Sequence, residues 1–380
     1  MKKTVGLILV IFVTLLLAAC SRQDEKEPEI RIGFIAPFTG VLRDLGTSCL
    51  EGARIALEEI EHRGGLVIDG RRYRINLILK DGQNIPELAV QAAQELINHE
   101  EVVLIIGPPI SSLAIPVAQL ACQADVPMIT QNSTHPDVTK GTDCVVRTCF
   151  TDTFQGGVMA RFARENLQAR TAAVLFDVAG AFNRTITEIF VNHFKEAGGQ
   201  IVASESYTTG ERDFRAHLRR IAESQPDVLF LPNYIHEIRL QIDQLRELGM
   251  NVQIIGADTM SIRNAELIAR IEGAYFSTHF SAETPDDRVQ VFSAEYQRKF
   301  QREPTAAVAL TYDALNLYFQ IAQEQGSIDP EKIVAAMQNL ERYEGVTGIM
   351  EFRGSPDPRK SVVIIHVVDG EFRFHTRIDP

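Results

Sequence analysis

Tryptophan is absent from the 380 residues, aromatics amount to 7%, and there are five cysteines. So few aromatic rings leave little for stacking on bases. A formal charge of −12 with a pI near 5.3 argues against the broad basic surface that nucleic acids select, so no nucleic-acid partner is expected. The local signatures of nucleotide and catalytic sites are missing too: there is no GxGxxG, P-loop, HExxH or GxSxG. His236-Glu237 lacks a second histidine four residues on, the nine histidines are scattered singly, and no CxxC points to a zinc ribbon. The expectation is a protein that is not an enzyme and carries neither cofactor nor metal. What remains, 45% apolar and 23% charged residues, is a globular composition, at a length that favours two domains.

Long apolar runs are also scarce. One, Val5 to Ala19, follows Lys2 and Lys3 and is too short for an ordinary membrane span, but it matches the core of a signal peptide. It ends Leu17-Ala18-Ala19-Cys20, which resembles a bacterial lipobox, so residues 1–19 read as a leader and Cys20 as the site of lipidation. Acyl chains on Cys20 would anchor the mature chain to a membrane. Residues 20–29 read as a polar tether. Ala306–Gln325, the best rival for a span, is interrupted by Asp313, Asn316 and Gln320 and reads as a buried helix. Of the cysteines left, Cys49, Cys122, Cys144 and Cys149, three full pairings are possible. A Cys144–Cys149 bond is disfavoured, because an odd offset along a strand puts them on opposite faces.

Short β-branched runs alternate with helical stretches. Strands are expected at 30–36, 73–79, 102–106, 126–130, 145–148, 172–176, 201–204, 228–231, 252–255 and 275–278, and helices at 49–62, 88–97, 113–121, 182–197, 214–222 and 235–248. This alternation predicts an α/β protein with parallel sheets covered on both faces. There are too many units for one sheet. The pattern restarts near Thr151 and changes near Phe280 to long helices at 289–300, 306–325 and 330–340, followed by a hairpin over 362–374. Two doubly wound lobes are therefore expected: 30–150 plus 279–352, and 151–278 plus 353–380. The chain would cross between them near Phe150, Thr278 and Arg353.

Ligands of such sheets bind beyond the strand carboxyl ends. There the sequence places Gly107-Pro108-Pro109-Ile110-Ser111-Ser112 ahead of a helix, with Ser111 or Ser112 expected as its cap and its N–H groups as an anion site. At other strand ends stand Gln131-Asn132-Ser133-Thr134, Pro232-Asn233-Tyr234 and Asp258. Hydroxyls and a helix start suit a carboxylate, and Asp258 suits an ammonium group, so the combination points to a free amino acid gripped by hinge closure.

The run Ile32-Gly33-Phe34-Ile35-Ala36-Pro37-Phe38-Thr39-Gly40, with Gly64-Gly65, Lys80-Asp81, Arg147-Thr148, Asp152, Gln155-Gly156 and Gly345-Val346-Thr347-Gly348, resembles the leucine/isoleucine/valine-binding proteins of bacterial ABC importers. These are type I periplasmic binding proteins, and the likeness covers roughly residues 30–375. It implies two lobes joined by three strands and a small-molecule ligand, with permease subunits as partners. It also implies ligand contacts at Ser111, Ser133, Thr134, Tyr234 and Asp258. Phe182 stands where the family commonly has a tyrosine, and Leu45 where an aromatic often covers the ligand. Both make the pocket more apolar, and Asp258 replaces a frequent Glu. An amide, urea or other small polar ligand is the second binding reading.

Overall fold

The computed structural model describes residues 27–261 and 265–380. The expected leader, the lipidation site Cys20 and most of the tether lie outside the described residues. In chain order the elements begin β1 (Glu29–Ala36), α1 (Arg43–His62), β2 (Leu66–Ile68), β3 (Arg71–Asp81), α2 (Pro86–Asn98), β4 (Leu104–Ile106), α3 (Ser111–Gln123), β5 (Met128–Thr130) and β6 (Val145–Arg147). They continue with α4 (Asp152–Glu165), β7 (Thr171–Asp177), α5 (Ala181–Glu196), β8 (Gln200–Tyr207), α6 (Arg215–Glu223), β9 (Val228–Leu231), α7 (Ile235–Glu247), β10 (Gln253–Gly256), α8 (Ala265–Arg270) and β11 (Tyr275–Thr278). The chain closes with α9 (Asp287–Phe300), α10 (Ala306–Gln325), α11 (Pro330–Gln338), the hairpin β12 (Tyr343–Gly345) and β13 (Gly348–Met350), then β14 (Val362–Val368) and β15 (Glu371–Ile378).

The larger strands form two sheets. The first has the order β2-β3-β1-β4-β5-β6, the second β15-β14-β11-β10-β9-β7-β8. In each the central strands are parallel and the antiparallel pairs sit at an edge. Side chains alternate along β1, as a strand buried on both faces requires. Ile30, Ile32, Phe34 and Ala36 pack with α1 and α10, whereas Ile35 packs with Ala89, Ala93 and Leu96 of α2 and Leu113 of α3. The second sheet is covered in the same way. Leu229 and Leu231 face α6 and α7, while Val228 and Phe230 face Val158 and Phe162 of α4 and Phe190 and Phe194 of α5. The chain is α/β with two doubly wound lobes, as the alternation predicts.

Strand order reverses between β1 and β4 in one sheet and between β7 and β9 in the other. These reversals open a crevice beyond the strand ends of each lobe. Gly107, at the end of β4, has φ +88°, and a Cβ there would lie 2.2 Å from the carbonyl oxygen of Ile35. Only glycine turns the chain this close to β1, so it sets where Pro109 and Ser111 emerge.

Three expectations need correction or completion. Helix α4 is not among the helices read from the sequence, because Gly156-Gly157 breaks its periodicity. In the fold Gly156 allows close packing on α5: a Cβ would meet Ile189 Cγ2 at 2.8 Å. Neither Ser111 nor Ser112 caps α3. Its N-cap is Ile110, with no side-chain cap, and Ser111 is the first helical residue. The Ser111 hydroxyl instead accepts from the backbone N–H of His135 at 3.3 Å. Of the open cysteine pairings the structure forms Cys122–Cys144, while Cys49 and Cys149 are buried free thiols. Among the described residues no helix is long and apolar enough to cross a membrane.

Candidate functional site

Loops at the strand ends of the two sheets face each other across a cleft of about 600 Å³, mouth included. The first lobe contributes Leu42 and Leu45 after β1, Pro109 and Ser111 after β4, Asn132 and Thr134 after β5, and Thr305 and Ala307 at the start of α10. The second contributes Phe182 after β7, Tyr234 after β9, and Asp258, Thr259 and Ser261 after β10. Six of the seven site residues expected from sequence, Leu45, Ser111, Thr134, Phe182, Tyr234 and Asp258, are thus brought to one wall or another of this cleft.

Ser133 is the exception. Its hydroxyl donates to the carbonyl of Pro108 at 2.9 Å, and its own carbonyl accepts from Arg147 Nη1 at 2.9 Å. It sits behind the wall and holds the loop after β5 against the loop after β4. The same loop is fastened by Arg147, a fully buried guanidinium that also donates to the His135 carbonyl and to Thr139, and pairs with Asp357 at 2.6 Å. These bonds satisfy a charge that would otherwise be costly to bury. On the other side of the cleft mouth, Asp81 accepts from the Phe38 N–H at 2.8 Å and the Thr39 hydroxyl at 2.6 Å, fixing the loop that carries Leu42 into α1.

The two ends of the cleft differ in polarity. At one, the N–H groups of Ser111 and Ser112 at the start of α3 have no backbone carbonyl partner among the described residues, since the Ile110 carbonyl takes those of Leu113 and Ala114, and the Ser111 and Thr134 side chains stand beside them. At the other is Asp258, the one formally charged side chain among the described lining residues. Its Oδ1 accepts from Gln155 Nε2 at 3.0 Å, and the same amide reaches Ser277 Oγ at 2.8 Å. Its Oδ2 lies 3.4 Å from His279 Nε2. Thr259 is tied to the carbonyl of Asn233 at 2.7 Å, which locks the turn carrying Asp258 to the loop carrying Tyr234. Phe182 and Tyr234 pack with ring centroids 5.9 Å apart and form an apolar wall. Burial, and then the negative Asp258, push the Tyr234 phenol upward, so it stays a neutral donor.

Asp152 lies beneath this floor. Its N–H donates to the Thr134 carbonyl at 2.9 Å, yet neither side-chain oxygen has a hydrogen-bond partner among the described residues. Burial, reinforced by Asp258, pushes its carboxyl up to about 8. It is therefore an uncharged acid at neutral pH, which removes a second negative charge from beside Asp258.

Sequence reasoning missed Asn132 and Pro109, although both stand in loops it singled out; their neighbours carried the argument. It had no signal for Thr305 and Ala307, which return to the cleft from a distant helix start, nor for His279; Gln155 entered it only through the family resemblance, with no role assigned. Among the described residues no group of three or more His, Cys, Asp or Glu is placed to hold a metal ion.

With this geometry in view, comparison with known proteins is direct. The family model described as periplasmic binding protein matches residues 29–362. A Leu/Ile/Val-binding protein of Rhizobium johnstonii is 32% identical over 247 residues, covering 65% of this chain and 66% of the relative, just under two thirds of its length. The crystal structure of the leucine-binding protein LivK from Thermotoga maritima superposes with a TM-score of 0.86 at 33% identity, over 92% of this chain and 99% of that one. LivJ from Streptococcus pneumoniae, solved in complex with isoleucine, gives 0.85 at 27% identity over 93% and 100%. A two-lobed α/β chain with its cleft at paired strand-order reversals, matched along nearly all of its described length, belongs to the periplasmic binding protein family.

Proposed function

We propose that the protein captures a free amino acid with a neutral, branched-chain-like side chain and presents it to the permease subunits of an ABC importer. The observation that carries this reading is the polarity of the cleft. Unused N–H groups and hydroxyls of the first lobe suit the carboxylate, Asp258 of the second suits the ammonium group, and Leu42, Leu45 and Phe182 suit an aliphatic side chain. The similar LivK and LivJ structures, named for leucine and crystallised with isoleucine, support the same ligand class. The lobes, 30–150 plus 279–352 and 151–278 plus 353–380, close on the ligand about the crossings near Phe150, Thr278 and Arg353. Cys20, acylated after removal of residues 1–19, holds the chain to a membrane outside the cytoplasm.

A second reading, a neutral amide or urea, draws on the hydroxyl-rich lining of Ser48, Thr259, Ser261 and Thr305. Calorimetric titration separates the two. L-Leucine or L-isoleucine should bind the wild type, and Asp258→Asn should weaken binding about ten- to a hundredfold, since a charge-assisted hydrogen bond is worth roughly 1.5–3 kcal/mol. Ser111→Ala should cost less, because backbone N–H groups still face the carboxylate. Unchanged affinity in Asp258→Asn would remove the ammonium group from the reading and favour the neutral ligand.

A further inference from the structure

Asp258 is held from behind the cleft wall as well as offered to the cleft. Gln155 takes one oxygen, and the other faces a histidine that the sequence gives no reason to notice. His279 is the first residue after β11, on the stretch that leaves the second sheet toward α9 and α10. Its ring is fully buried and stacks on Phe150 with centroids 3.6 Å apart and planes 25° apart. Phe150 lies on another stretch that passes from one sheet to the next, between β6 and α4. Neither ring nitrogen of His279 has a hydrogen-bond partner among the described residues; Nε2 stands 3.4 Å from Asp258 Oδ2, close enough for a hydrogen bond but not aligned for one.

Resting on the reading of Asp258 as the ammonium pole, we infer that His279 is a positioning residue for that pole. The ring, clamped flat on Phe150, presents Nε2–H to the Asp258 carboxylate and, with Gln155, fixes its plane while tying it to two stretches that join the lobes.

Packing alone does not explain a histidine here. A phenylalanine or leucine would fill the space without the cost of burying two polar nitrogens that find no partner. The charge state suits the role. Burial pushes the ring down to about 4, against the opposing pull of Asp258, so at neutral pH it carries one proton. Since Nδ1 faces no acceptor, the proton has a use on Nε2 alone. The other ionisable groups nearby fit the same picture. The buried Lys360 ammonium repels a second proton on the ring, and Asp152, uncharged, does not compete for its N–H. The loose 3.4 Å contact would tighten when a bound cation draws the carboxylate into line, as such bonds do on ligand binding.

The test uses the full chain. His279→Phe keeps the stack on Phe150 and removes the N–H; His279→Gln returns a donor near the Nε2 position. In calorimetric titrations with L-leucine, His279→Phe should bind about tenfold more weakly than wild type, and His279→Gln within about threefold of it. Adding His279→Phe to Asp258→Asn should cause no further loss, because both act through one contact. Wild-type affinity in His279→Phe, or an equal loss in both Asp258 backgrounds, overturns the positioning role. Nitrogen NMR of the His279 ring in the ligand-free protein reads the tie without any ligand. A neutral ring protonated on Nε2, with a signal that moves in Asp258→Asn, supports it; a proton on Nδ1 overturns it. If the tie is present by NMR but wild type takes up no leucine, the ammonium reading fails, and His279's part in holding a cation fails with it.

Discussion

Asp152 is an acid that the fold keeps protonated. Its side-chain pKa rises from an unfolded value near 3.8 to about 8, with burial as the main cause. For an acid shifted upward, the folded state binds the extra proton. The stabilisation is therefore complete below about pH 4 and is lost as pH rises toward about 8. Asp152→Asn removes the titration and keeps the shape, so its melting temperature should pull ahead of wild type between about pH 5 and pH 8 and then stay level. A difference that does not vary with pH would show that the carboxyl is solvated or paired. Residues of this kind are hard to read from sequence. Asp258 and Tyr234 were legible because a polar residue at the end of an apolar strand has a predictable place. Asp152, Gln155 and His279 occupy no such place, and their roles depend on which element lands behind them. Ser133 shows the converse: it stands at a strand end, but turns its hydroxyl to Pro108 and serves the loop.

Among the elements, α3 carries much of the site, and its two ends are treated differently. Its start has Ile110 as N-cap without a side-chain cap, which leaves the Ser111 and Ser112 N–H groups without a backbone partner among the described residues. Its last turn is stapled to the start of β6 by Cys122–Cys144, which spans a sequence separation of 22 residues. Closing a loop of that size restricts the unfolded chain by about 3 kcal/mol in the chain-entropy treatment. Cys122→Ala/Cys144→Ala should therefore lower the unfolding free energy read from denaturant titration by about 3 kcal/mol while leaving leucine affinity within about twofold. A large affinity loss at full folding would mean that the staple also aims the helix start. The parallel strands and most helices were legible from apolar runs and their period. Helix α4 was not, since its glycines serve contact with α5, and the three-residue β2 and the hairpin β12–β13 are too short to show a pattern.

For the molecule as a whole, hinge closure carries a direct expectation. Small-angle scattering of the protein with saturating L-leucine should give a smaller radius of gyration than without it. A verified ligand that produces no compaction would mean that the lobes are rigidly set. The anchor is checked separately: a fatty-acid label should mark the wild type in its host and spare Cys20→Ser, and label on the mutant would defeat the lipobox reading.

The order in which the chain is threaded into its fold has a further consequence. The second sheet is completed by β14, which pairs antiparallel with β11 and brings β15 with it. Asp357, just ahead of that hairpin, neutralises Arg147 from 210 residues away. Glu51 likewise accepts from Tyr296, across 245 residues. Contacts between such distant parts of a sequence form late, after the loop between them has been closed at an entropic cost. A polypeptide passing N-terminus first through a narrow membrane pore would emerge without its last sheet strands or the partner of its buried guanidinium. It would stay pliable until its final residues were through, which suits the export proposed above with residues 1–19 as leader. A chain ended before Val362 should accordingly remain open to protease under conditions in which the full chain resists it. Resistance in the truncated form would place the decisive folding step earlier, in the first lobe.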